Sequence, residues 1–388
     1  MEICVISFGL RRESSGYTLR TLSILRELSK HFDKINVLEF GSEHNDIKQS
    51  GNITFIGLET KNMWPKSFSN IMENIFTFDP FRNLIFQFLS FLTLYNKREY
   101  IHSADVVLVE SCMMPAGNII SKLFQKKVVL DTHCINKLLA THYKKRRFLV
   151  YLLRTFFWDL LERLTIRLSN IVITVSKKET EYIINEYGTP RSNVILIPNI
   201  VSRPKIPCYN IKELKHRYGL DNKIVVTFAG DLTSVQNIDA VDYIIKELAP
   251  YFWKKRKDVV FLIIGRGKER FKGITPNVLF TGFVKEIEPL LDASDVHIAP
   301  SRVGAGTKMK VLTYLSYDKP IILTPVSAEG LEAYLDPKFN SVCSIEDFAS
   351  CLEKTLAKKP KVRLRVDKLQ RLHEDFKNGI KELLNAIK

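Results

Sequence analysis

The sequence predicts an α/β fold made of two doubly wound domains. Three observations carry this prediction: the length, a repeated alternation of short β-branched runs with helical stretches, and a proline-rich break near the middle. At 388 residues the chain is long for one domain, since about 150 residues per domain is usual. Strands that alternate with helices are typical of a parallel sheet covered by helices on both faces.

In the first half, seven short apolar runs are predicted as strands. They are Ile3–Phe8, Ile35–Phe40, Ile53–Ile56, Val106–Val109, Val128–Leu130, Ile171–Val175 and Val194–Ile197. A helix is predicted over Thr18–Phe32, where leucines recur at helical spacing behind a start signal at Ser14–Gly16. Its expected buried face carries Leu19, Leu22, Leu25, Leu28 and Phe32.

Prolines cluster between Pro198 and Pro207, which predicts a linker. Beyond it the alternation restarts with five more predicted strands: Ile224–Phe228, Val259–Ile264, Val278–Phe280, Val296–Ile298 and Ile321–Leu323. We therefore expect an N-terminal domain over 1–200, a C-terminal domain over 205–362, and a charge-rich helix over 363–388 that packs back toward the first domain. Ligands bind outside the carboxyl ends of parallel strands, so a deep cleft between two facing domains is the default site.

The chain is strongly basic, with 58 Lys and Arg against 42 Asp and Glu, a formal net charge of +16. Such a surface attracts phosphates, whether on nucleic acid, anionic lipid or nucleotide-bearing metabolites. A content of 45% hydrophobic residues excludes general disorder. The six cysteines show no Cys-x-x-Cys spacing, the first residues lack the features of a signal peptide, and no apolar run reaches membrane-spanning length. These features favour a cytoplasmic protein.

Most of the excess positive charge lies in one inner stretch, residues 122–167, and in the tail from residue 354. Within the inner stretch, Lys144–Arg147 leads into the apolar and aromatic run Phe148–Trp158. A cationic helix rich in Phe, Trp and Leu suits an anchor on an anionic membrane surface, here over 140–167, to which the apolar residues 81–98 would add. The alternative is that both segments are core helices. Nucleic acid is not expected as a partner, because no nucleic-acid motif accompanies the charge.

Three glycine-containing turns follow predicted strands in the second half. In the first, Gly304 and Gly306 precede Thr307, Lys308 and Lys310, an arrangement that favours a diphosphate. The alternative is a structural turn with solvated lysines. The second turn contains Gly265, and the third contains Glu329 and Gly330. The carboxylate of Glu329 suits a sugar hydroxyl, or it is simply an acid at a helix start.

Several loose motifs occur in a specific order along nearly the whole chain. They are Val194–Asn199, Phe228–Leu232, Val260–Gly265, Leu279–Phe283, Pro300–Leu312 and Ser327–Gly330. In this order and spacing they resemble the group-1 family of retaining glycosyltransferases with the GT-B fold, in the branch whose donor loop reads Gly-x-Gly-Thr-Lys-x-Lys. The resemblance implies transfer of a hexose-type sugar from a nucleotide diphosphate donor, held by the C-terminal domain, to a glycan or lipid-linked acceptor.

The resemblance also implies roles for individual residues. His133 matches the family's active-site histidine, and Lys308 and Lys310 match the cations that stabilise the leaving diphosphate. Donor-binding positions are implied at Gly16, Gly230, Gly265, Gly304, Gly306, Thr307, Thr313, Glu329 and Gly330. Taken without the family, a lone histidine after a strand is more often structural. The sequence has no Asp-x-Asp, in agreement with an implied metal-independent reaction, and no cofactor is expected.

Some positions depart from the family pattern. The family's paired glutamates correspond to Ala305 and Thr313, and its Arg and Lys after the first C-domain strand correspond to Asp231 and Asn237. These changes weaken the expected donor site unless Lys308, Lys310 or Arg302 compensates. They leave open a non-catalytic GT-B scaffold, and less favoured still a nucleotide-sugar epimerase. The transferase reading places the enzyme in the cytoplasm, peripheral at the cytoplasmic membrane face.

Overall fold

A computed structural model describes residues 1–8, 10, 16–42, 46–59, 80–112, 114–133, 135, 137, 148–201, 210–271, 275–358 and 366–388. Contacts between Cα atoms divide the chain into two compact units. Unit 1 contains Met1–Asn199 and Glu374–Lys388, and unit 2 contains Ile200–His373. Residues 140–147 of the predicted membrane segment and most of the predicted linker lie outside the described residues. Among the described helices, none combines the length and hydropathy needed to cross a membrane.

Unit 1 is built on an eight-stranded sheet. Its strands are β1 (Glu2–Phe8), β2 (Lys34–Ser42), β3 (Ile47–Ser50), β4 (Ile53–Glu59), β5 (Val106–Glu110), β6 (Lys127–Asp131), β7 (Ile171–Thr174) and β8 (Val194–Leu196). They lie in the order β3-β4-β2-β1-β5-β6-β7-β8, and the pairings are parallel except that β3 runs antiparallel to β4. The strand order reverses between β1 and β5. In open α/β sheets such a reversal opens a crevice at the carboxyl ends of the strands.

In the part of unit 1 that the structure describes, six helices connect these strands. They are α1 (Gly16–Leu28), α2 (Pro80–Tyr95), α3 (Arg98–Ser103), α4 (Pro115–Leu123), α5 (Phe148–Arg167) and α6 (Lys177–Tyr187). The connections through α2, α4, α5 and α6 all advance in one direction across the sheet, whereas the connection through α1 advances in the other. Because such crossovers are right-handed, α1 covers one face and the other connecting helices cover the opposite face. In agreement, α4 packs against both α2 and α5.

Helix α1 corrects one detail of the sequence prediction. Leu19, expected on the buried face, is 43% exposed, whereas Arg20 is 2% exposed. The buried positions of the helix are otherwise Thr18, Thr21, Ile24, Leu25 and Leu28. The buried face predicted from the leucines is therefore rotated slightly from the observed one. The reason is that Arg20 is buried at a position where a pattern based on apolar residues predicts exposure to solvent.

Unit 2 is built on a six-stranded, fully parallel sheet. Its strands are β9 (Ile224–Ala229), β10 (Val259–Ile264), β11 (Val278–Gly282), β12 (Val296–Ala299), β13 (Ile321–Leu323) and β14 (Asn340–Val342). The order is β11-β10-β9-β12-β13-β14, so the strand order reverses between β9 and β12. Apolar clusters fill both faces, one containing Phe228, Phe252, Phe261 and Phe348, the other Leu262, Leu312 and Tyr314. Two of the six cysteines, Cys343 and Cys351, form a disulfide that the sequence reading did not anticipate.

The helices of unit 2 lie between these strands. They are α7 (Ile211–Arg217), α8 (Val235–Tyr243), α9 (Ala249–Lys255), α10 (Glu288–Asp292), α11 (Met309–Leu315), α12 (Pro325–Ala328) and α13 (Phe348–Lys358). A π-helical segment, Ile244–Leu248, connects α8 to α9. The last helix, α14 (Val366–Ile387), begins in unit 2 and ends in unit 1. Within unit 1 it packs closely on the end of β8, since a Cβ at Gly379 would lie 2.5 Å from the carbonyl oxygen of Leu196.

Candidate functional site

Two strands of unit 1 end in buried carboxylates beside the reversal of strand order. Glu110 ends β5 and Asp131 ends β6, and both side chains are fully buried. The backbone just beyond each strand takes a left-handed conformation, with φ of 89° at Ser111 and 54° at His133. Non-glycine residues adopt such angles rarely and at a cost, and they concentrate at functional sites. This edge of the sheet is therefore the candidate site of unit 1.

Arg20 organises this edge. Its guanidinium binds Asp131 in a two-pronged contact, with Nε 2.8 Å from Oδ2 and Nη2 2.8 Å from Oδ1. The remaining nitrogen, Nη1, donates to the carbonyl oxygen of Ile197 and to Oδ1 of Asn199, each at 2.9 Å. Burial alone would raise the pKa of Asp131, but the charge and hydrogen bonds of Arg20 lower it overall. One side chain thus ties α1, β6 and the segment after β8 together.

His133 lies directly beside this ion pair. Its Nε2 is 3.6 Å from Oδ2 of Asp131, and its ring stacks on Tyr17 with ring centroids 4.2 Å apart. Burial, helped by the charge of Arg20, lowers the pKa of the imidazole to about 4, although Asp131 opposes the shift. The histidine is therefore neutral near pH 7. Its buried Nε2 has no hydrogen-bond partner among the described residues, which leaves it available to a ligand.

Glu110 and Tyr17 form a second pair at the same edge. The Tyr17 hydroxyl donates to Oε2 of Glu110 at 3.1 Å and accepts from the backbone N–H of Phe8 at 3.3 Å. Burial raises the pKa of Glu110 to about 7. Near neutral pH this carboxyl therefore holds or releases a proton with little cost.

Glu110, Asp131 and His133 offer ligand atoms within 4.8 Å of one another, the spacing of a possible metal site. Both oxygens of Asp131 already accept hydrogen bonds from the Arg20 guanidinium. A metal ion here would face that fixed positive charge at short range, which is unfavourable in a buried site. The donor set therefore fits a cation poorly.

In unit 2, the turns after β9 and β10 approach each other closely. Gly265 has a φ of 145°, and a Cβ at this position would lie 1.8 Å from the carbonyl oxygen of Gly230. A Cβ at Gly230 would in turn lie 2.8 Å from Nζ of Lys310. Only glycine fits at Gly265, because both the backbone angle and the space exclude a side chain. The fold thus brings Gly230 and Gly265, both predicted from the sequence as donor-binding positions, close together. The absence of a side chain at Gly230 lets Nζ of Lys310 lie against the backbone.

The predicted donor loop lies after β12, beside the reversal of strand order in unit 2. Gly304 has a φ of 140° and Gly306 a φ of 69°. Helix α11 begins only at Met309, so Thr307 and Lys308 precede the helix. Lys308 is 7% exposed, and its Nζ donates to the carbonyl oxygens of Gly306 at 2.7 Å and Ala305 at 3.1 Å.

Two polar atoms around this loop lack partners among the described residues. They are the buried hydroxyl of Thr307 and the buried Oε1 of Gln236. The side chain of Gln236 lies against Gly304, where a Cβ would come within 2.7 Å of Oε1. Buried polar atoms are normally satisfied, so these two groups suit a bound polar ligand.

Lys310 contacts the residue that replaces a family cation. Its Nζ donates a short hydrogen bond to Oδ1 of Asn237 and lies 4.0 Å from the centroid of the Phe228 ring. Burial, with a smaller contribution from the nearby charge of Lys308, lowers the pKa of Lys310 to about 7. An anion bound here would restore the charge of Lys310, because a neighbouring opposite charge favours the ammonium form.

Asp231, the other departure, does not present a free negative charge. Its Oδ2 pairs with Arg266 at 2.6 Å. Although partial burial raises the pKa of Asp231, hydrogen bonds from Arg266 and Thr233 lower it overall. The guanidinium of Arg302, which the sequence offered as a compensating cation, pairs with Asp239 at 2.7 Å. The cations left for an anion in this loop are Lys308 and Lys310.

The remaining predicted residues take simpler positions. Gly16 is the first residue of α1. The Thr313 hydroxyl donates to the carbonyl oxygen of Met309 at 3.1 Å, one turn earlier in α11. Glu329 and Gly330 directly follow α12, so Glu329 lies at the end of that short helix and not at a helix start.

Sequence reasoning missed Tyr17, Arg20, Glu110 and Asn199. A signal was available for two of them: Glu110 directly follows the apolar run Val106–Val109, and Arg20 interrupts the apolar spacing of α1. An ionisable residue at either position is costly unless it is paired or functional. Nothing in the sequence marks Tyr17 or Asn199, because their roles depend on contacts across the fold.

Two models of known protein families match separate segments of the chain. Residues 64–203 match the model of glycosyltransferase family 4, and residues 223–358 match the model of glycosyl transferases group 1. No curated protein that was compared matches the chain at a significant level.

Solved structures of similar fold span the whole chain. HepE from Anabaena in complex with UDP is 14% identical, with a TM-score of 0.67 and full coverage of both chains. An E. coli trehalose-6-phosphate protein bound to UDP-2-fluoro glucose is 9% identical, with a TM-score of 0.71 over 100% of this chain and 99% of that one. WaaG, a glycosyltransferase of lipopolysaccharide biosynthesis, is 16% identical, with a TM-score of 0.66 over 100% and 99%. These are GT-B structures, and the predicted GT-B fold is confirmed.

Proposed function

This chain is a glycosyltransferase that joins a family 4 segment to a group 1 segment, and we propose that it transfers a sugar from a nucleoside diphosphate donor. The observation that carries the proposal is the loop after β12. Its two lysines and its unpartnered Thr307 hydroxyl lie at the reversal of strand order, where open α/β sheets bind ligands. HepE and the E. coli protein, which share the fold, are bound to UDP and to a UDP-sugar analogue.

In this proposal Lys308 and Lys310 neutralise the diphosphate as it leaves. Cleavage of the bond to the anomeric carbon places negative charge on the departing phosphate, and fixed cations stabilise that charge most where water is excluded. Lys308 is nearly buried and already held by the carbonyl oxygens of Ala305 and Gly306. Lys310 gains its full charge when the anion arrives. Gly230, Gly265, Gly304 and Gly306 allow the ligand to approach the backbone.

His133 is proposed to contact the transferred sugar. Its pKa of about 4 keeps the imidazole neutral at physiological pH, so Nε2 exchanges a hydrogen bond with a sugar hydroxyl without adding charge. Gly16, Thr313, Glu329 and Gly330 are proposed as further donor contacts, as the family resemblance implies. Because the Thr313 hydroxyl also bonds within α11, we expect its contact with the donor to be weak.

We propose that the reaction retains the configuration of the sugar and needs neither metal nor cofactor. Arg20 already supplies the positive charge at Asp131, and the two lysines supply it in the donor loop. The proposed acceptor is a glycan or a lipid-linked sugar. A lipid-linked acceptor would bring the enzyme to the cytoplasmic face of a membrane, with the basic stretch 140–167 contributing to an anionic surface contact.

The test combines donor turnover with matched variants. The purified chain is incubated with a panel of UDP-, GDP- and ADP-sugars, with and without EDTA, and nucleotide release and donor binding are measured. Lys308→Ala should lower kcat by about 10²–10³-fold, the cost of removing one transition-state charge partner. Lys338→Ala, which removes an exposed lysine of unit 2, should leave it unchanged. Absence of both binding and turnover for every donor, or full inhibition by EDTA, would contradict the proposal.

A further inference from the structure

The outer surface of α2 is unusual for a helix that faces solvent. From Asn83 to Tyr95 the helix contains no charged residue. Its outward positions carry large apolar side chains, with Leu84 54% exposed, Phe88 62% and Leu92 41%. These positions repeat every four residues, so they form one stripe along the helix. A surface helix normally presents polar or charged side chains on this side.

The two neighbouring helices continue the same surface. On α4, Leu123 is 63% exposed, and on α5, Phe156 and Leu160 are 70% and 51% exposed. Helix α4 packs against both α2 and α5, so the three stripes lie side by side on one face of the sheet. We call this surface the three-helix face. It holds ten of the sixteen exposed large apolar side chains among the described residues.

The apolar character is confined to these helices. Helix α6, on the same side of the sheet, exposes Lys177, Lys178, Glu181 and Glu186, which is the ordinary pattern. A contiguous apolar surface of this extent marks an interaction site, because isolated apolar residues are common on proteins but large patches are not.

Basic residues border one edge of the three-helix face. All three helices connect parallel strands, so their carboxyl-terminal ends lie at the same edge of the sheet. Arg98 follows α2, Lys122 lies in the last turn of α4, and Arg167 ends α5. Over the described residues, none of these three cations lies within 4 Å of a carboxylate, although Lys122 donates to Oδ1 of Asn170 at 2.6 Å and Arg98 to the carbonyl oxygen of Tyr95 at 3.1 Å. Asp159, the acid on the partly exposed side of α5, is paired with Lys137 and Arg163.

We infer that the three-helix face binds the surface of an anionic lipid bilayer. Large aliphatic and aromatic side chains insert at the boundary between headgroups and acyl chains, while Arg98, Lys122 and Arg167 contact anionic headgroups. A second copy of the chain is disfavoured as the occupant. A two-fold dimer through this face would bring the same surface, with the same cations, against itself. An anionic bilayer instead gains attraction from each cation.

The inference deepens the membrane contact proposed above, on which it rests, but its test needs neither donor nor acceptor and is therefore independent of sugar transfer. The full chain is mixed with vesicles of phosphatidylcholine alone or of phosphatidylcholine with phosphatidylglycerol, and the bound fraction is measured by sedimentation. Binding to the anionic vesicles should be strong at low salt and weaken as salt rises. Phe88→Glu and Phe156→Glu should each lower the apparent affinity by about tenfold or more, since each replaces an exposed aromatic side chain that would insert into the bilayer by a negative charge that anionic headgroups repel.

Phe283→Glu is the matched control, because Phe283 is also 70% exposed but lies in unit 2. It should bind vesicles like the unmodified chain. The thermal unfolding of all three variants should stay close to that of the parent, since the altered side chains face solvent. The inference is overturned if the chain does not bind anionic vesicles at low salt. It is equally overturned if Phe283→Glu loses as much binding as Phe88→Glu and Phe156→Glu. It is also overturned if the chain sediments as a dimer that Phe156→Glu makes monomeric, since a second copy would then cover the face.

Discussion

Arg20 connects more segments of unit 1 than its place in a leucine-rich helix suggests. A buried ion pair adds little to stability by itself, because removing both charges from water costs about as much as their attraction returns. The loss of one partner is expensive, since the other charge remains buried alone. The bonds of Arg20 to Asp131, Ile197 and Asn199 hold the end of β6, two residues before His133, and we propose that Arg20 positions this histidine.

A double-mutant cycle tests this description. Arg20→Ala should lower the free energy of unfolding by about 3–5 kcal/mol and reduce kcat, because Asp131 is left buried without its partner. Arg20→Ala combined with Asp131→Asn should cost less than Arg20→Ala alone, because no unpaired charge remains. Urea unfolding measures both values. Equal losses in the single and the double variant would show that the ion pair is not the source of the effect.

Lys310 should give donor binding a pH dependence. In the free protein its pKa is about 7, so it loses its positive charge as the pH rises through neutrality. A diphosphate prefers the ammonium form, and we therefore expect the KM for the donor to increase from pH 6 to about pH 8.5. Lys310→Arg, which stays charged, should flatten the profile, whereas Lys338→Gln should reproduce the original one. A KM that is constant with pH in the unmodified chain would contradict this assignment.

At the scale of elements, α14 depends on a glycine where helices usually disfavour one. Replacing an interior helical glycine by alanine normally stabilises by about 1 kcal/mol. At Gly379 a Cβ would lie 2.5 Å from the carbonyl oxygen of Leu196 and 2.9 Å from Cγ1 of Ile197. Gly379→Ala should therefore destabilise unit 1, while Asn378→Ala, at the exposed neighbouring position, should be neutral or slightly stabilising. Thermal unfolding of the two variants decides the point, and a stabilised Gly379→Ala would show that α14 moves freely away from β8.

Strands were easier to predict than helix faces and contacts. All twelve predicted strands overlap observed strands, because buried parallel strands appear as β-branched runs that need no partner to be recognised. The two strands that escaped, β3 and β14, are edge strands, and β3 is fully exposed. The glycine turns of unit 2 were also visible, since their spacing reflects local backbone geometry. The partners of Arg20 and Tyr17 were not, because Asp131 and Glu110 lie 111 and 93 residues away along the chain.

The molecule as a whole carries buried ionisable groups with opposite effects on stability. Burial raises the pKa values of Glu110 and Glu179 from 4.5 to about 7, so the folded chain holds protons that the unfolded chain releases in that window. This contribution is lost as the pH rises from 4.5 to 7. His133 and His297, whose pKa values fall from 6.5 to about 4 and about 3, act in the other direction, because the unfolded chain then binds more protons.

Glu110→Gln should isolate the contribution of Glu110 to the pH dependence of the unfolding free energy. The unfolding free energy of the unmodified chain, relative to that of Glu110→Gln, should decrease between pH 4.5 and 7. The expected change is on the order of 1–3 kcal/mol, from 1.36 kcal/mol per unit of pKa shift. Chemical unfolding at several pH values provides the measurement. A difference that does not vary with pH would mean that Glu110 titrates normally in the folded chain.

Unit 1 is discontinuous along the chain, since it takes Met1–Asn199 and then Glu374–Lys388. During synthesis the ribosome finishes every strand of its sheet long before it reaches the segment that packs on β8. Unit 2 is one uninterrupted stretch, Ile200–His373, so its synthesis is complete before that of unit 1. Until Glu374–Lys388 is synthesised, the surface of unit 1 around Leu196 and Ile197 stays uncovered. Nascent chains aggregate or bind chaperones through exposed apolar surfaces of this kind. Synthesis of Glu374–Lys388 therefore sets the moment at which unit 1 can complete its fold.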